Sequence, residues 1–122
     1  MARERDLDKI CVLVLKALKR LESRGESVVV ARGGRYGLDL RSQLEIKGVH
    51  QSDVCRAVNL LVAEDAVLRD DTASVEAYGS LSDPIKEKAS AFYLTKKGRE
   101  RLSEVRAREI AGVALGEFVK AS

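Results

Sequence analysis

The segment SDVCRAVNLLVAEDAVLR, residues 52–69, carries two periodicities in succession. Val54, Val58 and Leu61 recur at three- and four-residue spacing, which sets them on one side of an α-helix. At about 100° per residue, Asp53, Arg56, Asn59 and Leu60 point away from that side. Ser52 precedes the run as an N-cap, so the spacing predicts a helix over about Asp53–Asp65. Ala66–Arg69 then changes to a short strand pattern.

Upstream, Leu7, Ile10, Cys11, Val14, Leu18 and Leu21 form the apolar stripe of a helix over residues 7–24, ended by Gly25. Ser27–Arg32 is β-branched and short, a strand. RGGRYG (32–37) reads as a loop, Asp39 as the cap of a second helix over about Leu40–Lys47 closed by Gly48, and Val49–Gln51 as a turn. Downstream, residues 70–90 are polar, acidic at first and contain the single proline, Pro84, so they read as a loop or a long hairpin tip. Ala91–Thr95 is a strand that can pair back onto 66–69, and a last helix runs from Lys96 to about Lys120. The fold expected is α+β, mainly helical, with residues 1–95 as its body and 96–122 as a C-terminal helix of the same compact unit. The first half of that helix turns Leu102 and Val105 inward. In the second half Ile110, Val113, Ala114, Leu115, Phe118 and Val119 are apolar on nearly all sides, which requires cover. A second copy of the chain, met also by Val12 and Leu13 on the flank of the first helix, is the cover expected.

Composition narrows the classes. The chain has 122 residues, 45% apolar and 34% charged, enough for one domain with a modest core. The apolar runs are too short to cross a bilayer, and no secretion signal is visible at the start. Two cysteines on apolar helix faces fit a reduced, cytoplasmic protein better than a disulfide framework, with a redox-sensing Cys11–Cys55 pair as the lesser alternative. The net charge is +3, made of +3 in residues 1–25, −1 in 26–65, −2 in 66–95 and +3 in 96–122. Basic ends serve either as a footprint for nucleic acid or as solvated helix faces.

Two short helices joined by a turn and followed by a hairpin are the order of a winged helix-turn-helix. Residues 52–69 resemble the recognition helix and first wing strand of MarR- and PadR-like regulators, which commonly read Ser-x-Val-Ser-Arg-x-Leu-x-x-Leu-x-x-x-Gly-Leu-Val-x-Arg. FYLTKKGRERL, residues 92–102, resembles their second wing strand and following helix, Tyr-x-Leu-Thr-x-x-Gly-x-x-x-Leu. The two matches stand in the expected order, and the resemblance covers roughly residues 7–105. It implies binding of double-stranded DNA by a homodimeric transcriptional regulator, with helix 52–65 in the major groove and the 66–95 hairpin as the wing. Asp65 departs from the family's Gly, and Leu60 and Val62 are apolar where the family is polar.

In such a protein Gln51, Ser52, Asp53, Arg56 and Asn59 would face the groove; Arg suits guanine and Asn adenine. Because this helix carries one cation, phosphate attraction must come from Arg32 and Arg35 in the glycine loop, Arg41 on the second helix, Lys86 and Lys88 in the wing, and Lys96 and Lys97 after it. Asp70 and Asp71 would repel phosphate. The alternative is a winged-helix protein–protein module using Leu60, Val62 and the acidic wing. The glycine loop lacks the lysine and hydroxyl of a phosphate-binding P-loop and reads as a turn. His50 has no metal-ligand partners at useful spacing and reads as a solvent-facing turn residue or a backbone contact to DNA. The alternating Arg and Glu of residues 99–109 read as a solvated face with i,i+4 pairs. No catalytic constellation, metal, cofactor or small-molecule pocket is expected.

Overall fold

The computed structural model describes residues 4–78 and 84–121, with side chains for 6–75 and 86–111. The elements follow in the order α1 (Glu4–Ser23), β1 (Val28–Ala31), α2 (Tyr36–Gln43), α3 (Gln51–Ala63), β2 (Val67–Asp70), β3 (Ser74–Tyr78), β4 (Pro84–Leu94) and α4 (Lys96–Ala121). The chain is therefore α+β and mostly helical, with one small antiparallel sheet ordered β1-β4-β2 and β3 paired farther out along β4.

The expected stripe of α1 is buried, and Leu15 and Ala17 join it. The stripe is wide because α1 meets α3 on one side and α4 with the sheet on the other. Gly25, at φ +73, closes the helix: the Glu26 N–H reaches back to the Leu21 carbonyl at 2.9 Å and the Gly25 N–H to Glu22 at 2.9 Å. Val28 and Val30 of β1 point into the core. The outer edge of β1 is occupied by one side chain, Gln43. Its amide accepts from the Val29 N–H at 3.0 Å and donates to the Val29 carbonyl at 2.6 Å.

α2 begins four residues before the expected Leu40, and Asp39 lies within its first turn rather than capping it. Tertiary packing overrides the cap preference here. Tyr36 meets Phe92 edge to face with centroids 6.4 Å apart, and Gly37 lies so close to α3 that a Cβ there would be 3.1 Å from the Cys55 sulfur. The helix ends at Gln43, so residues 44–47 form a turn with Glu45 at φ +58, which turns Leu44 and Ile46 into the core. α3 also begins earlier than the spacing predicts. His50, not Ser52, is its N-cap, and its ring nitrogen accepts from the Ser52 N–H at 3.3 Å. After Ala63 the chain turns through Asp65 at φ +61, the conformation a glycine would adopt with least strain.

The segment 70–90, expected as a loop or a long hairpin tip, is for its described part the outer continuation of the hairpin. Asp70 sits opposite Ala91 and Ser74 opposite Lys88, four steps on one strand against three on the other. Residues 71–73 are thus a one-residue bulge, and β2 and β3 are one interrupted strand running along the eleven residues of β4. Asp70 shapes the corner by accepting from the Thr72 N–H at 2.9 Å and hydroxyl at 2.5 Å. No sequence periodicity marks this, because a bulge breaks the alternation that identifies a strand.

Thr95 caps α4, accepting from the Gly98 N–H at 3.0 Å and donating to the Asp65 carbonyl at 2.5 Å. Leu102 is buried and Val105 half-buried, as expected. Arg99 and Arg101, expected in i,i+4 pairs, instead bridge to other elements. Arg99 meets Glu22 of α1 at 2.6 Å and Arg101 meets Glu64 behind α3, while Lys16 meets Glu109 at 2.7 Å. These exposed pairs contribute about 0.2–1 kcal/mol each. A buried Leu or Val contributes about 1.5–3 kcal/mol, so the core, not the bridges, holds α4. Beyond Val105 the six residues 106–111 are all exposed, with Glu109 meeting α1 only through Lys16 among the described contacts.

Gly98 sets the junction between α4 and the hairpin base, since a Cβ there would collide with the Ala66 carbonyl oxygen. Gly98→Ala is expected to destabilise the fold by about 3 kcal/mol, measured by urea denaturation; a midpoint equal to wild type would show that this contact is not fixed.

Candidate nucleic-acid interface

The inner side of α3 is closed. Val54, Ala57, Val58 and Leu61 are buried, and the Cys11 thiol of α1 approaches the Ala57 carbonyl at 3.8 Å. The opposite side is open, with Gln51, Ser52, Arg56 and Asn59 exposed. Asp53 departs from expectation. It is 7% exposed rather than outward, in the first turn where the positive end of the helix dipole favours a carboxylate. One of its oxygens lies 3.5 Å from the Arg56 guanidinium, so it orients Arg56 and does not itself present to a groove. Leu60 and Val62 are half-buried against the core. The first does not point freely outward as its helical angle suggested, because the packed α3 is covered over more than half its girth.

The remaining sequence-selected cations divide into three groups. Arg41 is half-buried and donates to the Val49 carbonyl at 3.2 Å, bracing the α2–α3 turn. Arg32, Arg35, Lys86 and Lys88 are exposed, and of these Arg32 and Lys88 adjoin each other. The Arg32 N–H donates to the Lys88 carbonyl at 2.9 Å, and a shallow hollow of about 360 Å³ is lined by Arg32, Gly33, Gly34, Glu87 and Lys88. The loop continues into Gly37, against Gln51 and Cys55, so it links the hairpin to the first turns of α3. Lys96 and Lys97 are exposed but stand past the other end of β4. Along the strand, Leu94 is about 26 Å from Lys86, so these two lysines do not join the same patch.

Electrostatics explain the acidic pair at the bulge. Hydrogen bonds from Thr72 hold the Asp70 carboxyl below its ordinary value. For Asp71 the hydrogen bond from Ser90 comes first, at 2.6 Å, with Arg69 and Arg32 beside it. A carboxylate so lowered favours the folded form above its unfolded value near 3.9 and loses that effect only as pH falls through the lower folded one. The corner is therefore insensitive to pH across the neutral range. Burial raises both thiols, Cys11 fully enclosed and Cys55 partly, and both are unpaired. Burial also raises the Tyr36 hydroxyl, and Ser90 nearby acts in the opposite direction.

Among the described residues no group of His, Cys, Asp and Glu is placed to hold a metal, and no helix is long and apolar enough to cross a membrane. A hollow of about 490 Å³ lies away from α3, between Leu18, Leu21 and Val28 on one side and Phe92 and Tyr93 on the other. Of the residues selected for self-association, Val12 is half-buried, Leu13 is 43% and Ile110 72% exposed. Val113, Ala114, Leu115, Phe118 and Val119 lie outside the residues whose side chains are described.

Sequence patterning does not reveal the capping role of His50 or the hydrogen bond between Asp71 and Ser90. The Asp-Asp-Thr run of 70–72 was the available signal for a side-chain-stabilised corner, whereas nothing local distinguishes His50 from Ser52 as the cap. His50→Ala is expected to destabilise the fold by about 1 kcal/mol while Ser52→Ala has a smaller effect, measured by thermal melts; the reverse order would return the cap to Ser52. No protein-family model, curated protein or solved structure matches this chain.

Proposed function

We propose that the chain is a winged helix-turn-helix protein that binds double-stranded DNA as a homodimer and acts as a transcriptional regulator. In this reading α2 and α3 are the helix-turn-helix, α3 enters the major groove, and the β2–β3/β4 hairpin is the wing. One observation carries it: Gln51, Ser52, Arg56 and Asn59 stand exposed on a helix whose other side is buried by Val54, Ala57, Val58 and Leu61. A helix about 10–12 Å across fits a major groove about 12 Å wide. Arg56, oriented by Asp53, reads guanine, and Asn59 reads adenine. Arg32, Arg35, Lys86 and Lys88 supply phosphate contacts beside the helix N-terminus, whose backbone N–H groups favour an anion. The reduced thiols suit the cytoplasm.

Self-association follows from α4. Its residues 106–111 are exposed, and the sequence beyond is apolar on nearly all sides. A partner copy laid along it, with Leu13 and Ile110 at the margin, removes that surface from water and gives the two-fold symmetry that a palindromic site matches.

A second reading, docking on a protein without DNA, is favoured by one feature: Leu68 and Tyr93, opposite each other on the sheet, are 56% and 45% exposed.

Selection from random duplexes is expected to enrich a two-fold symmetric site. Arg56→Ala should lose about 1–3 kcal/mol of discrimination at one base pair while keeping its binding to unrelated duplex. No measurable affinity for any duplex at low salt would reject DNA and leave the protein partner. Leu115→Glu with Phe118→Glu is expected to halve the mass seen by light scattering; an unchanged mass would discard α4 as the interface.

A further inference from the structure

Two hydrogen bonds of Arg32 join the glycine loop to the hairpin, and two contacts of the Asp71 side chain fix the bulge at residues 71–73 within it. The Asp71 backbone carbonyl accepts from the Arg32 guanidinium at 3.1 Å. The Asp71 carboxylate accepts from the Ser90 hydroxyl at 2.6 Å and lies 3.2 Å from Arg69 Nε. Opposite, the Lys88 carbonyl accepts from the Arg32 N–H. Ser90 is only 1% exposed and lies in turn beside Tyr36 of α2, whose ring packs on Phe92. The bulge is thus anchored from the core outward through α2, Ser90 and Asp71, and Arg32 is the outermost link.

This anchoring acts on the hollow between loop and hairpin. Arg32 and Lys88 line it, and at Gly33 and Gly34 nothing lies within 4 Å of where a side chain would begin, so an oxyanion can approach the backbone there. Glu87 also lines the hollow, but alternation along the strand sends its side chain to the face opposite Lys86 and Lys88. An arginine left to wander loses conformational freedom when it captures a phosphate; one already held by a carbonyl loses less.

We propose that Asp71, fixed by Ser90 across the bulge, is a positioning residue that sets Arg32 and Lys88 as one clamp for a backbone phosphate of duplex DNA. This rests on the DNA-binding reading above and adds to it the element that fixes where the duplex lies against the hairpin. It also inverts the usual meaning of an acidic residue at such a surface. By charge alone, removing Asp71 would strengthen phosphate attraction; as a positioning residue, its removal weakens it.

The test is a titration of a labelled mixed-sequence duplex with the full chain, followed by anisotropy over a salt series from about 50 to 200 mM. Arg32→Ala and Lys88→Ala should each lower the slope of log affinity against log salt by about 0.9, the loss of one phosphate contact. Asp71→Ala, which removes the acceptor for Ser90 that an Asn would keep, should with its fold verified by circular dichroism weaken binding alike on all sequences. Combined with Arg32→Ala it should add nothing further, because both act on the one phosphate contact of Arg32. Ser90→Ala is the second variant and should follow Asp71→Ala. Wild-type slope with unchanged or tighter binding in Asp71→Ala and Ser90→Ala overturns the clamp while leaving the DNA reading intact. Absence of duplex binding by the wild-type chain overturns both.

Discussion

The seating of α3 on α1 is the constraint from which the other features follow. Ala57 and Cys11 are small enough to let the two helices approach closely, and Val54, Val58, Leu61 and Val14 fill the space around them without exposure. That contact determines which residues of α3 remain outside. It also fixes where the chain emerges after Asp65, and hence where β2 enters the sheet and β4 returns. Enlarging either small residue would move the exposed side of α3 together with the hairpin, because both are positioned from the same buried seam.

The sheet transmits that placement outward. β4 is shared by every other strand, β1 along one margin and β2 then β3 along the other. A long strand twists, and the bulge at 71–73 adds a local bend, so the outer hairpin need not follow the plane of its base. The side chains at the bend, Asp70 with Thr72 and Asp71 with Ser90, give it a defined shape in place of a pliable one.

Much of this was legible in the amino-acid order, and the lapses have physical causes. α1, α3 and α4 show in the spacing of their apolar residues, because each has one side in the core and burial enforces a helical period. The β2 and β4 bases show through β-branched and aromatic residues flanked by turns. α2 was misplaced by four residues, since Asp39 is a good cap in isolation and only contact with Phe92 and Cys55 reveals that Tyr36 and Gly37 belong to the helix. For the outer hairpin the sequence leaves a loop and a long hairpin tip equally open, since the extra residue at 71–73 interrupts the alternation and the apolar residues beyond it are few. Of the surface residues, the exposed set of α3 followed from angle alone. The inward turn of Asp53 did not, because a carboxylate is placed outside by composition unless its partner is known. Likewise Arg41 and the pair Lys96–Lys97 look equivalent in sequence to Arg32 and Lys88, and only their positions in space separate them.

Gln43 has a consequence for how the molecule meets its own kind. A sheet margin with unsatisfied amide and carbonyl groups is a template on which another polypeptide can lay itself. By matching both groups of Val29 with one side-chain amide, the chain withdraws that template on the β1 side. Addition of a foreign strand is thereby hindered at the centre of β1, while on the β2 side Arg69 and Asp70 break up the apolar surface. With Ile110 of α4 already 72% exposed, a sheet margin closed at its centre removes one further route to unintended strand addition.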